Sequence, residues 1–350
     1  MSLRAADAWL LALADAGGVS RALPAKPLSA EGWAGAFGLA QYHGVLPAVT
    51  ANLKRLMREH GAERVVAASR ATTHGRGTFD VALAGAEESL VRQAGLSLVL
   101  RRQQKRIMEA LAGRALPAFV LKGAAVADRL YAEPGLRQFT DLDLLAREDA
   151  VPEVEAALEG LGYLPVLAPR RKYATGYGER TWRPLEQPGG SVEVHWNLVN
   201  SPALRRRVSV AYDDLQLEAD AEAGCAAPVP SASSLLMIAA VHGAAGHRFD
   251  RLQILCDICQ CVRGAAGALD EAWLADAAVR TGSARALKTA LALAGEAFSE
   301  PRCHELLGRL GWAGRTGVWG RLLTPAVVLR SDRPLAKLRR QLFRELLKRR

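Results

Sequence analysis

The sequence predicts an α+β fold, with a short mixed β-sheet core flanked by helical N-terminal and C-terminal regions. Three observations carry this. Apolar residues recur at helical spacing up to about residue 115, short β-rich segments separated by turn residues follow between about 118 and 200, and helical spacing returns from about 230. The boundaries expected from these shifts are 1–115, 116–200 and 201–350, with a basic amphipathic tail over 333–350.

In the first region Leu96, Val99 and Leu100, then Ile107, Ala110 and Leu111, form an apolar helical stripe. Gly113 and Pro117 end it. Ala118–Leu121 is a short buried strand, Ala124–Tyr131 a helix after Gly123, Asp141–Leu145 a second strand and Pro152–Leu161 another helix. Thr181–Leu185 and Ser191–Trp196 flank Pro188-Gly189-Gly190, a turn signal that predicts a hairpin. Leu235, Leu236, Ile238 and Ala239, then Leu252, Leu255, Ile258, Cys259 and Val262, mark helices of the last region.

Composition narrows the class. With 350 residues, 50% of them apolar, and charges of both signs, the chain can bury a sizeable core and is neither disordered nor fibrous. The run Ala8–Ala14 is bracketed by Asp7 and Asp15 and reads as a first helix rather than an export signal. No apolar stretch approaches the roughly 18–20 residues of a membrane span. Five Cys, three of them crowded at Cys256, Cys259 and Cys261, do not form a secreted disulfide framework, so a reducing cytoplasm is expected. These three Cys fall within a helical repeat and read as small buried apolar residues rather than zinc ligands.

The net charge of +10 raises the affinity for any polyanion, but it is unevenly spread. Residues 333–350 hold eight Lys or Arg against the single acid Glu345, above an apolar stripe of Leu335, Leu338, Leu342, Phe343, Leu346 and Leu347. Such a helix either docks on its own domain or meets nucleic acid or an anionic surface.

The chemistry lies in the middle segment. Alternation along a strand puts Asp141 and Asp143 on one face, and Glu193 and His195 share a face of the next hairpin strand. If the strands are neighbours, Asp141, Asp143 and Glu193 make a three-carboxylate metal site able to hold two ions across an in-line phosphoryl displacement. Hard oxygen ligands of this kind suit Mg²⁺ bound with a substrate's phosphates. Lys122 and Arg137 could supply positive charge to a triphosphate or serve as structural ion-pair partners, and His195 could accept a proton or orient Glu193. His242 and Asp257 could line the cleft between the core and the helical region.

Leu121-Lys122-Gly123 before a helix, Arg137-Gln138-Phe139-Thr140-Asp141-Leu142-Asp143-Leu144-Leu145, Leu161-Gly162-Tyr163 after a helix and Val192-Glu193-Val194-His195-Trp196 together resemble the uncharacterised nucleotidyltransferase family of the DNA polymerase beta-like superfamily. The resemblance implies a nucleotidyltransferase-like core, with Gly123 as the nucleotide-loop glycine, Asp141 and Asp143 as Mg²⁺ ligands and Glu193 as the third carboxylate. It also implies an NTP such as ATP as co-substrate and a small-molecule or macromolecular acceptor. Gly123 is followed by Ala124, where the superfamily usually has a second Gly or a Ser. That departure leaves an alternative, a catalytically impaired binding protein of the same fold that contacts RNA or a protein partner.

Overall fold

A computed structural model describes residues 4–67, 74–166, 176–186, 189–219, 228–313 and 322–349. The N-terminal region consists of α1 (Ala5–Leu13), α2 (Ala30–Tyr42), α3 (Leu46–His60) and the 39-residue α4 (His74–Ala112). Ser29 starts α2 by accepting a hydrogen bond from the Gly32 N–H at 3.1 Å, which satisfies one of the free donors of the first turn. The end of α4 buries Leu100, Ile107 and Leu111, so its expected apolar stripe is the face turned to the core.

The core runs β1 (Ala118–Val120), α5 (Ala124–Leu130), β2 (Leu142–Ala146), α6 (Val151–Gly160), β3 (Tyr163–Pro165), β4 (Glu179–Pro184) and β5 (Val192–His195). The five strands form one sheet in the order β1-β2-β5-β4-β3. β2 and β5 are parallel and every other pair is antiparallel, so the sheet is mixed. β4 and β5 pair as the expected hairpin, although Pro188 of its turn lies outside the described residues. Two details differ from the sequence reading. β3 falls where only a helix end was expected, and β2 starts one residue later, leaving Asp141 just ahead of the strand.

β2 is buried along its whole length, as a strand covered on both faces must be, whereas β4, nearer the sheet's edge, leaves Arg180 and Arg183 exposed. Leu142, Leu144, Val192 and Val194 pack against Val154, Ala157 and Leu158 of α6 and against Ile107 and Leu111 of α4. Asp143, Glu193 and His195 occupy the opposite face.

The C-terminal region contains α7 (Pro202–Arg205), the strand pair β6 (Leu217–Ala219) and β7 (Pro228–Pro230), then α8 (Ala232–Val241), α9 (Leu252–Val262), α10 (Glu271–Arg280), α11 (Ala284–Phe298) and α12 (Pro301–Arg309). The small two-stranded sheet departs from the expected all-helical character. A continuous apolar core runs from Trp9 and Trp33 through Leu255 and Ile258 to Phe298 and Phe343, so the two helical regions pack on each other. Asp15 seals that junction, receiving two 2.7 Å hydrogen bonds from Arg263 of the segment after α9. Cys256, Cys259, Cys261 and Cys303 are buried free thiols in this core, and burial pushes the Cys256 and Cys261 thiols up.

The tail forms the helix Pro334–Leu347, and its apolar stripe is divided. Phe343, Leu346 and Leu347 are buried, whereas Leu335, Leu338 and Leu342 remain exposed. Arg350 lies outside the described residues. Among the described residues no helix is long and apolar enough to cross a membrane.

Candidate functional site

Parallel pairing of β2 with β5 sets Asp143 directly opposite Glu193 and Leu145 opposite His195. The strand adjacency on which a shared carboxylate site depends is therefore present. Asp143, Glu193 and His195 bring ligand atoms within 4.8 Å of one another. Asp141 lies outside that group. It sits ahead of the strand, on the wall of a cavity of about 300 Å³ that is also lined by Lys122, Gly123, Arg137, Asp143 and His242.

Asp143 is 1% exposed, and both of its oxygens are engaged. Lys122 Nζ lies 3.0 Å from Oδ2 and His195 Nε2 lies 3.1 Å from Oδ1. Burial favours the neutral acid, but the ammonium and the imidazole outweigh it and hold the carboxyl well below the usual range. Lys122 also lies 3.1 Å from His242 Nε2, to which its ammonium can donate. Burial and the neighbouring Lys122 keep His242 well below the ordinary imidazole value, so it stays neutral and its Nε2 can accept that hydrogen bond. A π-helical turn, His242–His247, follows α8 and carries this side chain to the cavity.

His195 has acidic neighbours on both ring nitrogens. Nε2 faces Asp143 at 3.1 Å and Glu193 at 3.5 Å, and Nδ1 faces Glu179 at 3.4 Å and the Asn200 amide oxygen at 3.3 Å. Burial opposes its charge, yet the hydrogen bonds to Asp143 and Glu193 and the field of Asp143 and Glu179 prevail, and its pKa is pushed up to about 9. Sequence reasoning did not include Glu179 or Asn200. Antiparallel register puts Glu179 opposite His195, so the hairpin contained the signal for Glu179 once its pairing was known.

Arg137 is 8% exposed and makes a fork to Asp257 of α9, with Nε to Oδ1 and Nη2 to Oδ2 both at 2.9 Å. Its Nη1 donates to the Gly123 carbonyl at 3.2 Å, and Tyr131 donates to Asp257 Oδ1 at 2.6 Å. One buried ion pair thus ties the loop after β1 to the C-terminal helices. Gly123 has φ +76° and ψ −132°, a conformation that side chains rarely adopt, which explains glycine at this turn.

Asp141 reports on the electrostatics. Burial, and next Asp143, push its pKa up to about 6 against the opposing pull of Lys122. A raised folded-state value gives stability that is full below the ordinary carboxylate range and lost as pH rises through about 6. Asp141→Asn is therefore expected to stabilise the fold by up to about 3 kcal/mol near neutral pH and by almost nothing at about pH 4. Urea unfolding at both pH values checks this, and equal gains at the two would refute it.

A buried carboxylate flanked by a second one, with a lysine and an imidazole at hydrogen-bond distance and a glycine turn beside it, is an arrangement suited to polyphosphate chemistry. The family model described as "Uncharacterised nucleotidyltransferase" matches residues 29–299. This chain belongs to that nucleotidyltransferase family, and it is a transferase. No curated protein and no solved structure matches it.

Proposed function

We propose that the chain moves a nucleoside monophosphate from an NTP to an acceptor hydroxyl or phosphate in a Mg²⁺-dependent reaction that releases pyrophosphate. The observation that supports this most is the Asp143–Glu193 pair on adjacent parallel strands, beside the Lys122-Gly123 turn. The two carboxylates suit a hard divalent cation, since Asp143 and Glu193 offer oxygens within 4.8 Å of one another, and the ion would take over the contacts that the His195 imidazolium makes with both. Asp143 and Glu193 would hold the ion, and Asp141, on the cavity wall, is within the same field. When bound, Mg²⁺ neutralises triphosphate charge and aligns it for in-line displacement.

The protein's own groups account for the rest. Lys122 is held on Asp143, and a triphosphate offers its ammonium a second anionic partner. Arg137, already committed to Asp257, positions the Gly123 carbonyl and so the shape of the loop rather than gripping phosphate. The acceptor oxygen attacks the α-phosphorus as the bond to the bridging oxygen breaks, and that electron pair leaves with pyrophosphate. Glu193, whose side chain is 28% exposed, takes the acceptor's proton on the oxygen not turned to His195, and His195 orients this carboxylate from 3.5 Å at Oε2.

Calorimetry with each NTP tests the reading. Wild type is expected to bind an NTP only when Mg²⁺ is present. Glu193→Gln is expected to retain the fold and lower turnover roughly 10²- to 10⁴-fold, the range of a lost general base. Metal-independent NTP binding, or full turnover in Glu193→Gln, would overturn it.

A further inference from the structure

A second cleft, of about 580 Å³, opens beside the first and shares Gln93, Arg137 and Phe139 with it. Its walls come from α3, α4 and the turn Pro134–Leu136, so the N-terminal helices build most of it. The lining is largely apolar, with Pro47, Leu90 and Leu136 inside, and Leu98 on its wall is 70% exposed. Within this surface Thr50 is 3% exposed, and its hydroxyl has no hydrogen-bond partner among the described residues. A buried hydroxyl left unpaired is unfavourable, and a polar group on a bound molecule would relieve it.

The charges on the cleft are already spent. Lys54 is ion-paired with Glu87, and Arg101 donates to Asp128 at 2.6 Å while its guanidinium lies 5.9 Å from the Phe139 ring centroid. A nucleic acid gains affinity from free cations that neutralise its phosphates, and an apolar wall with paired cations supplies few. A cleft of this volume and lining matches a small molecule.

We propose that this cleft is the acceptor site, and that the acceptor is a small molecule with an apolar body and a hydroxyl group; its role as acceptor rests on the nucleotidyl-transfer reading above. The body packs on Leu90, Leu98 and Leu136, and a polar group pairs with Thr50. The reacting hydroxyl passes Phe139 and Arg137 into the cavity that holds Asp141 and Asp143. There its oxygen bonds to the α-phosphorus as pyrophosphate departs with the electron pair of the broken bond, and its proton is transferred to Glu193.

The test uses the full chain and 2-naphthol, an apolar fluorescent probe with one hydroxyl. Saturable binding to wild type is expected. Ala94→Trp and Ala51→Trp, each placing a bulky ring on the cleft wall from an exposed position, should weaken it tenfold or more. Thr50→Val should weaken it severalfold, and Mg²⁺·ATP binding should be unchanged in all three. Naphthol binding that is absent, or unaffected by both Trp variants, while Mg²⁺·ATP still binds, would overturn the acceptor cleft alone. Trp-sensitive naphthol binding without any Mg²⁺·ATP binding would instead overturn the transfer reading and leave a ligand site of another use. Displacement of naphthol by a single-stranded RNA oligonucleotide would overturn the small-molecule assignment.

Discussion

Asp143→Asn is expected to lower nucleotidyl transfer on the order of 10³-fold or more, because the cation site it would remove is worth several kcal/mol of charge stabilisation. The same substitution should destabilise the fold. Asp143 is the shared anion of Lys122 and His195, and removing one partner of a buried charge cluster typically costs about 3–5 kcal/mol. The pH dependence separates the two effects. His195 has a raised pKa, so the stability it contributes is full below its ordinary value near 6.5 and lost as pH rises through about 9. In Asp143→Asn that alkaline loss should shrink, and the imidazole proton should titrate at lower pH by NMR. A variant with the wild-type His195 titration would show that Asp143 does not hold the imidazolium. The double variant Asp143→Asn, Lys122→Met should recover part of the stability and none of the activity.

Breaking the Arg137–Asp257 fork is expected to be the largest purely structural perturbation. Among the described residues, Arg137→Leu leaves the buried Asp257 with Tyr131 as its one side-chain donor, and Asp257→Leu leaves a buried guanidinium with the Gly123 carbonyl as its one acceptor. Each single change should cost about 3–5 kcal/mol, measured by urea unfolding. Replacing both by Leu removes both uncompensated charges, so the double variant should recover much of that loss, as a strong positive coupling in the mutant cycle. Its activity should not recover, because Arg137 Nη1 no longer holds the Gly123 carbonyl. Additive stability losses in the cycle would contradict a direct ion pair, and full activity in the double variant would show that the loop keeps its shape without Arg137.

The two clusters differ in how far local sequence encodes them. Asp143 and Glu193 stood out because each lies on a short strand in which alternation assigns faces, and β2 and β5 then met in register. Glu179 and Asn200 did not stand out, since neither belongs to a pattern; only the pairing of β4 with β5 and the turn after β5 bring them to His195. Arg137 read as a phosphate ligand, with a structural ion pair as the alternative. Its true partner lies 120 positions away on α9, and no local spacing encodes that distance. Asp141 and Asp143 looked equivalent. The start of the strand one residue later separates them, with Asp143 sunk between Lys122 and His195 and Asp141 left at the cavity wall.

Sequence alone determined the α+β class, the helix–sheet–helix sequence of regions, the family resemblance and the acidic pair at the centre of the proposed reaction, because period, turn residues and glycine conformation are local properties that each segment carries with it. Tertiary structure decided which charges neutralise one another, that His195 is held as an imidazolium, and that the N-terminal helices build a second cleft beside the first. Those outcomes depend on burial and on contacts between distant segments, and the field around a buried group is set by whatever the fold packs against it.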